Sequence, residues 1–111
     1  MNDNAVILIN VFAVDPENQQ QLIDLLIRAT EGSVRNAPGF ISAKLHRSLD
    51  GTKVTMYAQW RSDEDYQAMR RDPRPLPYLT QALKIAKFDP GMYEIVQTFS
   101  PPATDGLGKS F

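Results

Sequence analysis

The chain has 111 residues, and 12 Lys and Arg against 13 Asp and Glu leave a formal charge of −1, no basis for binding nucleic acid or an anionic membrane. That length supports one hydrophobic core, and 42% apolar residues fit a soluble globular protein. The absence of cysteine excludes disulfides, thiolate metal sites and cysteine nucleophiles, and suits a reducing cytoplasm.

Met1-Asn2-Asp3-Asn4 lacks the basic region of a signal peptide, and the apolar run after it is too short to span a bilayer, so a cytoplasmic protein is expected. Ala5 to Val14 is apolar apart from Asn10 and reads as a central strand covered on both faces. Asp15 then offers an N-cap and Pro16 a first helical position. Leu22, Leu25, Leu26, Ala29 and Val34 recur at helical spacing, which predicts an amphipathic helix over Pro16 to Asn36, stopped by Ala37-Pro38-Gly39.

Phe40 to Ser48 alternates as a second strand, with Ile41, Ala43 and Leu45 on one face and Phe40, Ser42, Lys44 and His46 on the other. Asp50-Gly51 predicts a tight type I′ hairpin into Thr52–Trp60. That third strand places Val54, Met56, Ala58 and Trp60 on one side and Thr55, Tyr57 and Gln59 on the other. Ser62 is an N-cap candidate with Asp65 three residues on, so a helix over about Asp63 to Arg71 carries Tyr66. Pro73, Pro75 and Pro77 break it, and Tyr78 to Ala86 suggests a further short helix. Asp89-Pro90-Gly91 reads as a turn and Met92 to Phe99 as the last strand. Residues 1–99 are therefore expected to form one domain. The Gly- and Pro-bearing end, 100–111, is expected to be a mobile tail or to lie on a partner.

The order β-α-β-β-α-β predicts an α+β, ferredoxin-like split βαβ fold with an antiparallel sheet and helices on one face. Ile7, Ile9, Val11, Ile41, Leu45 and Tyr57 are assigned to the other face, which a second sheet in a homodimer would cover.

No phosphate loop or paired-histidine metal signature is present, and the single histidine gives a metal or haem site little support; no cofactor and no metal site are expected. The residues left to carry chemistry are Asn10, His46, Trp60 and Tyr66. Each has a plainer role: Asn10 at a sheet irregularity, His46 solvated near a hairpin, Trp60 in the core, Tyr66 in packing. Against these stand the cost of a buried amide, the proton chemistry of imidazole near neutrality and the place of a large indole at a strand end. Together they point to a small pocket between sheet and helices, with Phe12, Phe40, Met56, Tyr78 and Leu83 as candidate lining. Arg70, Arg71 and Arg74 read as a solvated rim, with gating of an anionic ligand as the alternative.

The segment Pro38-Gly39-Phe40, His46, Asp50-Gly51-Thr52, the run Tyr57-Ala58-Gln59-Trp60-Arg61-Ser62, and Tyr66 resemble, in order and spacing, the antibiotic biosynthesis monooxygenase family, over roughly Ala5 to Phe99. The closest likeness is to the cofactor-independent oxygenases of aromatic polyketide pathways that turn anthrones into quinones. The resemblance implies a dimeric ferredoxin-like barrel that takes a small aromatic substrate and molecular oxygen. It also implies that Trp60, Tyr66 and His46 line the pocket. The chain departs from the pattern at Met56, where anthrone oxygenases carry an Asn, and at Thr80, where a later helix carries an Arg. Asn10 stands where the haem-degrading branch carries an amide on the first strand, but no histidine follows Trp60, which disfavours haem degradation. Two other classes fit the same pocket: a cyclase or isomerase of polyketide intermediates, and a ligand-binding dimer without catalysis.

Overall fold

A computed structural model describes residues 5–103; Met1–Asn4 and the end of the expected tail, 104–111, lie outside the described residues. The strands are β1 (Val6–Val14), β2 (Phe40–Arg47), β3 (Lys53–Trp60) and β4 (Ala86–Tyr93), with helices α1 (Gln19–Gly32), α2 (Asp63–Arg70) and α3 (Leu76–Ile85). The strands form one antiparallel sheet in the order β2-β3-β1-β4, so β1 is central and the ferredoxin-like expectation holds, with the second crossover made of two helices. Among the described residues no helix is long and apolar enough to cross a membrane.

The long helix expected from Pro16 to Asn36 is three pieces: a 3-10 turn at Pro16–Asn18, α1, and a second 3-10 turn at Val34–Asn36. Asp15 makes no side-chain cap. The start of α1 is held instead by the buried Gln19, whose Nε2 donates to Lys53 O at 2.9 Å and Ser48 O at 3.2 Å, tying it to the β2–β3 hairpin. That hairpin is not the expected two-residue turn. Ser48 O accepts from Gly51 N–H at 3.2 Å, and Gly51, at φ +84°, takes the left-handed region. Asp50 accepts from Thr52 N–H (3.0 Å), Thr52 Oγ1 (2.7 Å) and Ser48 Oγ (2.8 Å), which lowers its carboxyl to a pKa of about 2.

The last strand corrects the expected one. Asp89-Pro90-Gly91 lies inside β4, paired with Val11, Asn10 and Ile9, while residues 94–103 have no regular structure. β4 is an edge strand, where a residue without an N–H is tolerated, and pairing along the whole of β1 overrides the local turn preference. α3 likewise begins earlier than expected, at Leu76, because a first turn accepts Pro77.

The helix side of the sheet carries Leu8, Phe12, Val14, Val54, Ala58 and Trp60. Two apolar clusters form there. One joins Phe12, Val14 and Val54 to Leu22, Ile23, Leu25 and Leu26 of α1 and Ala82 of α3; the other joins Leu8, Ala58 and Trp60 to Tyr66 of α2. Leu22 and Val54 are fully buried, each removing from water a side chain worth about 1.5–3 kcal/mol. On the far side lie Ile9, Val11 and Tyr57, with no helix or strand over them among the described residues, so the helices cover β1 on one face only. Leu45 belongs to the helix side, packed against the first cluster, not to the outer face assigned to it.

Strand parity in β2 changes at its start. Phe40 pairs with Trp60 but Ser42 pairs with Gln59, so a bulge at Ile41 turns Phe40 to the same side as Ala43 and Leu45. His46, opposite Thr55, stays on the outer side. Just before the bulge, Gly39 sits at φ +86°, and its O accepts from Arg61 N–H at 2.7 Å. A Cβ at Gly39 would overlap the Asp65 side chain. Gly39→Ala should therefore destabilise the fold by about 1–3 kcal/mol, from the backbone conformation alone or more with the overlap; a urea midpoint equal to that of the parent refutes this.

Candidate active site

Between the two apolar clusters the helices do not close on the sheet, and a cavity of about 280 Å³ remains. That is close to the lower end of small-molecule sites, roughly 300–1,000 Å³. The sheet floor is made by Leu8, Asn10 and Phe12 of β1, Met56, Ala58 and Trp60 of β3, Phe40 and Ala43 of β2, and Phe88 of β4. α1 contributes Leu26, Ala29 and Thr30, at the spacing of one helix face, and α3 contributes Leu76, Leu79, Thr80 and Leu83. Tyr66, Met69 and Arg70 close the α2 side.

Three of the four residues expected to carry chemistry come together: Asn10, Trp60 and Tyr66 line this cavity. His46 does not join them. It is exposed on the outer face, its Nδ1 3.3 Å from Thr55 O, because the Ile41 bulge separates the parity of Phe40 from that of His46. Of the expected lining, Phe12, Phe40, Met56 and Leu83 are present. Tyr78 instead packs against the first core cluster, two residues round the helix from Leu76 and off the cavity face. Phe88 was hidden by the misplaced last strand; it stacks on Phe12 with centroids 4.8 Å apart and planes at 24°. The α1 face was visible as helical periodicity but could not be told from ordinary core.

Trp60 is only 1% exposed and is held edge-on by Phe40 (5.3 Å, 81°) and Tyr66 (5.7 Å, 66°). Its Nε1 is buried and has no hydrogen-bond partner among the described residues, and the same is true of Asn10 Oδ1. A buried polar atom left unpaired costs about 1–3 kcal/mol, so two of them on the wall of one cavity are candidate partners for a ligand's polar atoms. They are complementary, one donor and one acceptor. Asn10 pairs across the ladder with Met56, four residues before Trp60, so the two positions stand roughly 13 Å apart along the strand. Side chains leaning inward shorten that span, which suits a fused polycycle better than a single ring. Thr30 offers little, since its hydroxyl donates to Leu26 O at 2.8 Å. Among the described residues no three metal-ligating side chains cluster.

The sequence pattern of the antibiotic biosynthesis monooxygenase family matches residues 5–74. A tetracenomycin-F1 monooxygenase of Streptomyces glaucescens is 41% identical over 99 residues, covering 89% of this chain and 88% of that protein. The chain belongs to the antibiotic biosynthesis monooxygenase family. Monooxygenase is accordingly its activity class, and the resemblance drawn from its short motifs holds. Among solved structures, the monooxygenase from the ActVA-Orf6 gene of Streptomyces coelicolor, in complex with nanaomycin D, superposes with a TM-score of 0.77 at 27% identity, covering 90% of this chain and 95% of that one. SnoaB of Streptomyces nogalater, a cofactor-independent oxygenase, shares the fold at 22% identity, with a TM-score of 0.73 over 89% of this chain and 99% of that one.

The wall that carries Tyr66 is fixed by a clamp at the start of α2. Ser62 Oγ accepts from Asp65 N–H at 3.1 Å, and Asp65 accepts from Arg61 through both carboxylate oxygens, at 2.7 and 3.0 Å. The hydrogen bond from Arg61 holds the Asp65 carboxyl below the usual aspartate range. A carboxyl whose folded pKa is lowered stabilises fully above its unfolded value, about 4, and that contribution is lost as pH falls below it. Asp65→Asn should therefore melt earlier than the parent at neutral pH, with the gap narrowing below about pH 4. A gap unchanged down to roughly pH 2 would assign the effect to packing.

Proposed function

We propose that this family member is a cofactor-free oxygenase of aromatic polyketide metabolism, which binds a flat anthrone-like polycycle in the cavity and oxidises its methylene to a carbonyl with molecular oxygen. The observation that carries this reading is the pair of unpartnered polar atoms, Asn10 Oδ1 and Trp60 Nε1, on the wall of an otherwise apolar cavity. A hydroxy-substituted polycyclic ketone presents the matching donor and acceptor. The names of the relatives agree, since one is a tetracenomycin-F1 monooxygenase and another was crystallised with nanaomycin D. A cytoplasmic location, in keeping with the lack of cysteine, belongs to the same proposal.

A methylene between aromatic rings and conjugated with a carbonyl loses a proton to give an enolate. The Trp60 N–H would hydrogen-bond the oxygen on which that negative charge collects, in a site largely emptied of water, where such a bond counts for more than in solution. The electron-rich carbon gives its electrons to oxygen and forms a C–O bond; the hydroperoxide then loses water. In sum CH₂ and O₂ become C=O and H₂O, the carbon oxidised by four electrons and the oxygen reduced by four. Asn10 would hold the hydroxylated end of the substrate and Tyr66 the indole, so that orientation is set before oxygen arrives.

Trp60→Phe keeps a plane in the slot between Phe40 and Tyr66 but removes the donor. Oxygen uptake with dithranol, with a chelator present, should fall by about one to three orders of magnitude while the melting temperature moves little. His46→Gln, on the outer face, should leave turnover unchanged. An early melt with normal turnover per folded molecule would make Trp60 a core residue and defeat the assignment.

The assembly is part of the proposal. Ile9, Val11 and Tyr57 lie on the outer face of the sheet with Ile41 and Tyr93, 46% and 51% exposed, beside them, and Ile95, Val96 and Phe99 follow on the extended segment after β4. An apolar surface of this kind calls for a partner, and a second copy packed sheet to sheet is the occupant whose face matches. Sedimentation should give a dimer at micromolar concentration; a well-folded monomer there refutes the assembly.

A further inference from the structure

We infer that the mouth of the cavity holds an anion subsite built on Arg70, which takes a carboxylate carried by the substrate's ring system; this extends the polycyclic-substrate reading above and rests on it. Four arginines gather on and around α2, and three are occupied. Arg61 is paired with Asp65, Arg71 Nη1 donates to Gln67 O at 3.4 Å, and Arg74 is forked onto Asp72 with Nε–Oδ1 and Nε–Oδ2 at 3.0 Å and Nη2–Oδ2 at 2.7 Å. Arg70 alone has no hydrogen bond or ion pair among the described residues, and it alone of the four lines the cavity.

The position of Arg70 follows from its neighbour one turn back. Its Cζ stands 6.0 Å from the centroid of Tyr66, an arrangement in which the ring face attracts the cation and holds it at the rim. Tyr66 in turn packs edge-on against Trp60, so the guanidinium is linked by two aromatic contacts to the indole whose N–H is unpartnered. The other charged group lining the cavity is Asp72, and Arg74 already neutralises it while its backbone N–H donates a further bond at 2.9 Å. The mouth therefore carries one uncompensated positive charge above a neutral, largely apolar interior. A guanidinium fork matches a carboxylate in two parallel hydrogen bonds, which a lysine or a neutral amide does not reproduce. Since Arg70 is exposed, the gain is that of a partly solvated pair.

Trp60 is the chain's single tryptophan, so its fluorescence reports the cavity directly and without turnover. Titration of the native protein with anthraquinone-2-carboxylate and with its methyl ester should quench Trp60 in both cases. The carboxylate should bind about three- to tenfold more tightly, with the margin narrowing as salt is added. Arg70→Gln should bring the two ligands to equal affinity and leave the ester as before. Arg71→Gln should keep the margin. Equal affinities in the parent protein, or a margin that survives Arg70→Gln, overturn the subsite and leave the polycyclic cavity standing. Quenching by neither ligand overturns both.

Discussion

Asp65 stands where three segments of the chain must meet: the Gly39 turn before β2, the Arg61-Ser62 exit from β3 and the first turn of α2. Its carboxylate takes both arms of Arg61, and the Arg61 N–H is spent on Gly39 O, so the end of β3 cannot move without moving the start of β2. The turn tolerates this closeness only because Gly39 has no Cβ to strike Asp65. Exposed ion pairs of this kind add little to stability on their own. Their use here is geometric, since the clamp fixes the angle at which α2 leaves the sheet, and with it the Tyr66 ring that sets the Trp60 plane.

The cavity exists because the helix face of the sheet is not packed continuously. Leu8 belongs to one cluster and Phe12 to the other, and Asn10 lies between them on the same face of β1. A leucine at that position would fill the seam and join the two clusters. Instead the chain keeps an amide there and an unpaired indole N–H beyond it, a combined cost of about 2–6 kcal/mol against a typical domain stability of 5–15. Such groups are already oriented when a ligand arrives, and a ligand that satisfies them returns part of that cost as binding.

Much of the fold was legible because several levels agreed. Helical periodicity from Leu22 to Ala29, alternation from Val54 to Trp60, and the Ser62 cap with acidic residues behind it each point to the element found. What failed did so where tertiary pairing overrides a local signal. Asp89-Pro90-Gly91 has the composition of a turn, yet it pairs along β1 on an open edge, and that shift concealed Phe88. At Ile41 one extra residue reversed the parity, and the same bulge that brought Phe40 to the cavity left His46 outside it. Bulges have no composition that a single sequence displays, so any site residue assigned by parity across one is exposed to this error. Asn10, Trp60 and Tyr66 line the cavity as expected because no bulge intervenes between any of them and it.

The pairing of Asn10 with Met56 bears on how the site is used. The resemblance to anthrone oxygenases leads one to look for an amide at Met56 on β3, and the ladder puts Asn10 directly opposite, on β1. Directly paired residues on one face of a sheet have Cβ atoms about 4.5–5.5 Å apart. An amide moved from one to the other therefore keeps its depth along the strands and shifts sideways by about one strand spacing, 4.7–4.9 Å, toward β4. Met56, flexible and apolar, occupies the vacated place and lines the cavity there. The donor at Trp60 has no such substitute and stays on β3. The line from indole to amide thus runs obliquely across the sheet instead of along one strand, and in the proposed binding mode it would turn a polycycle toward Phe88 and the β4 edge.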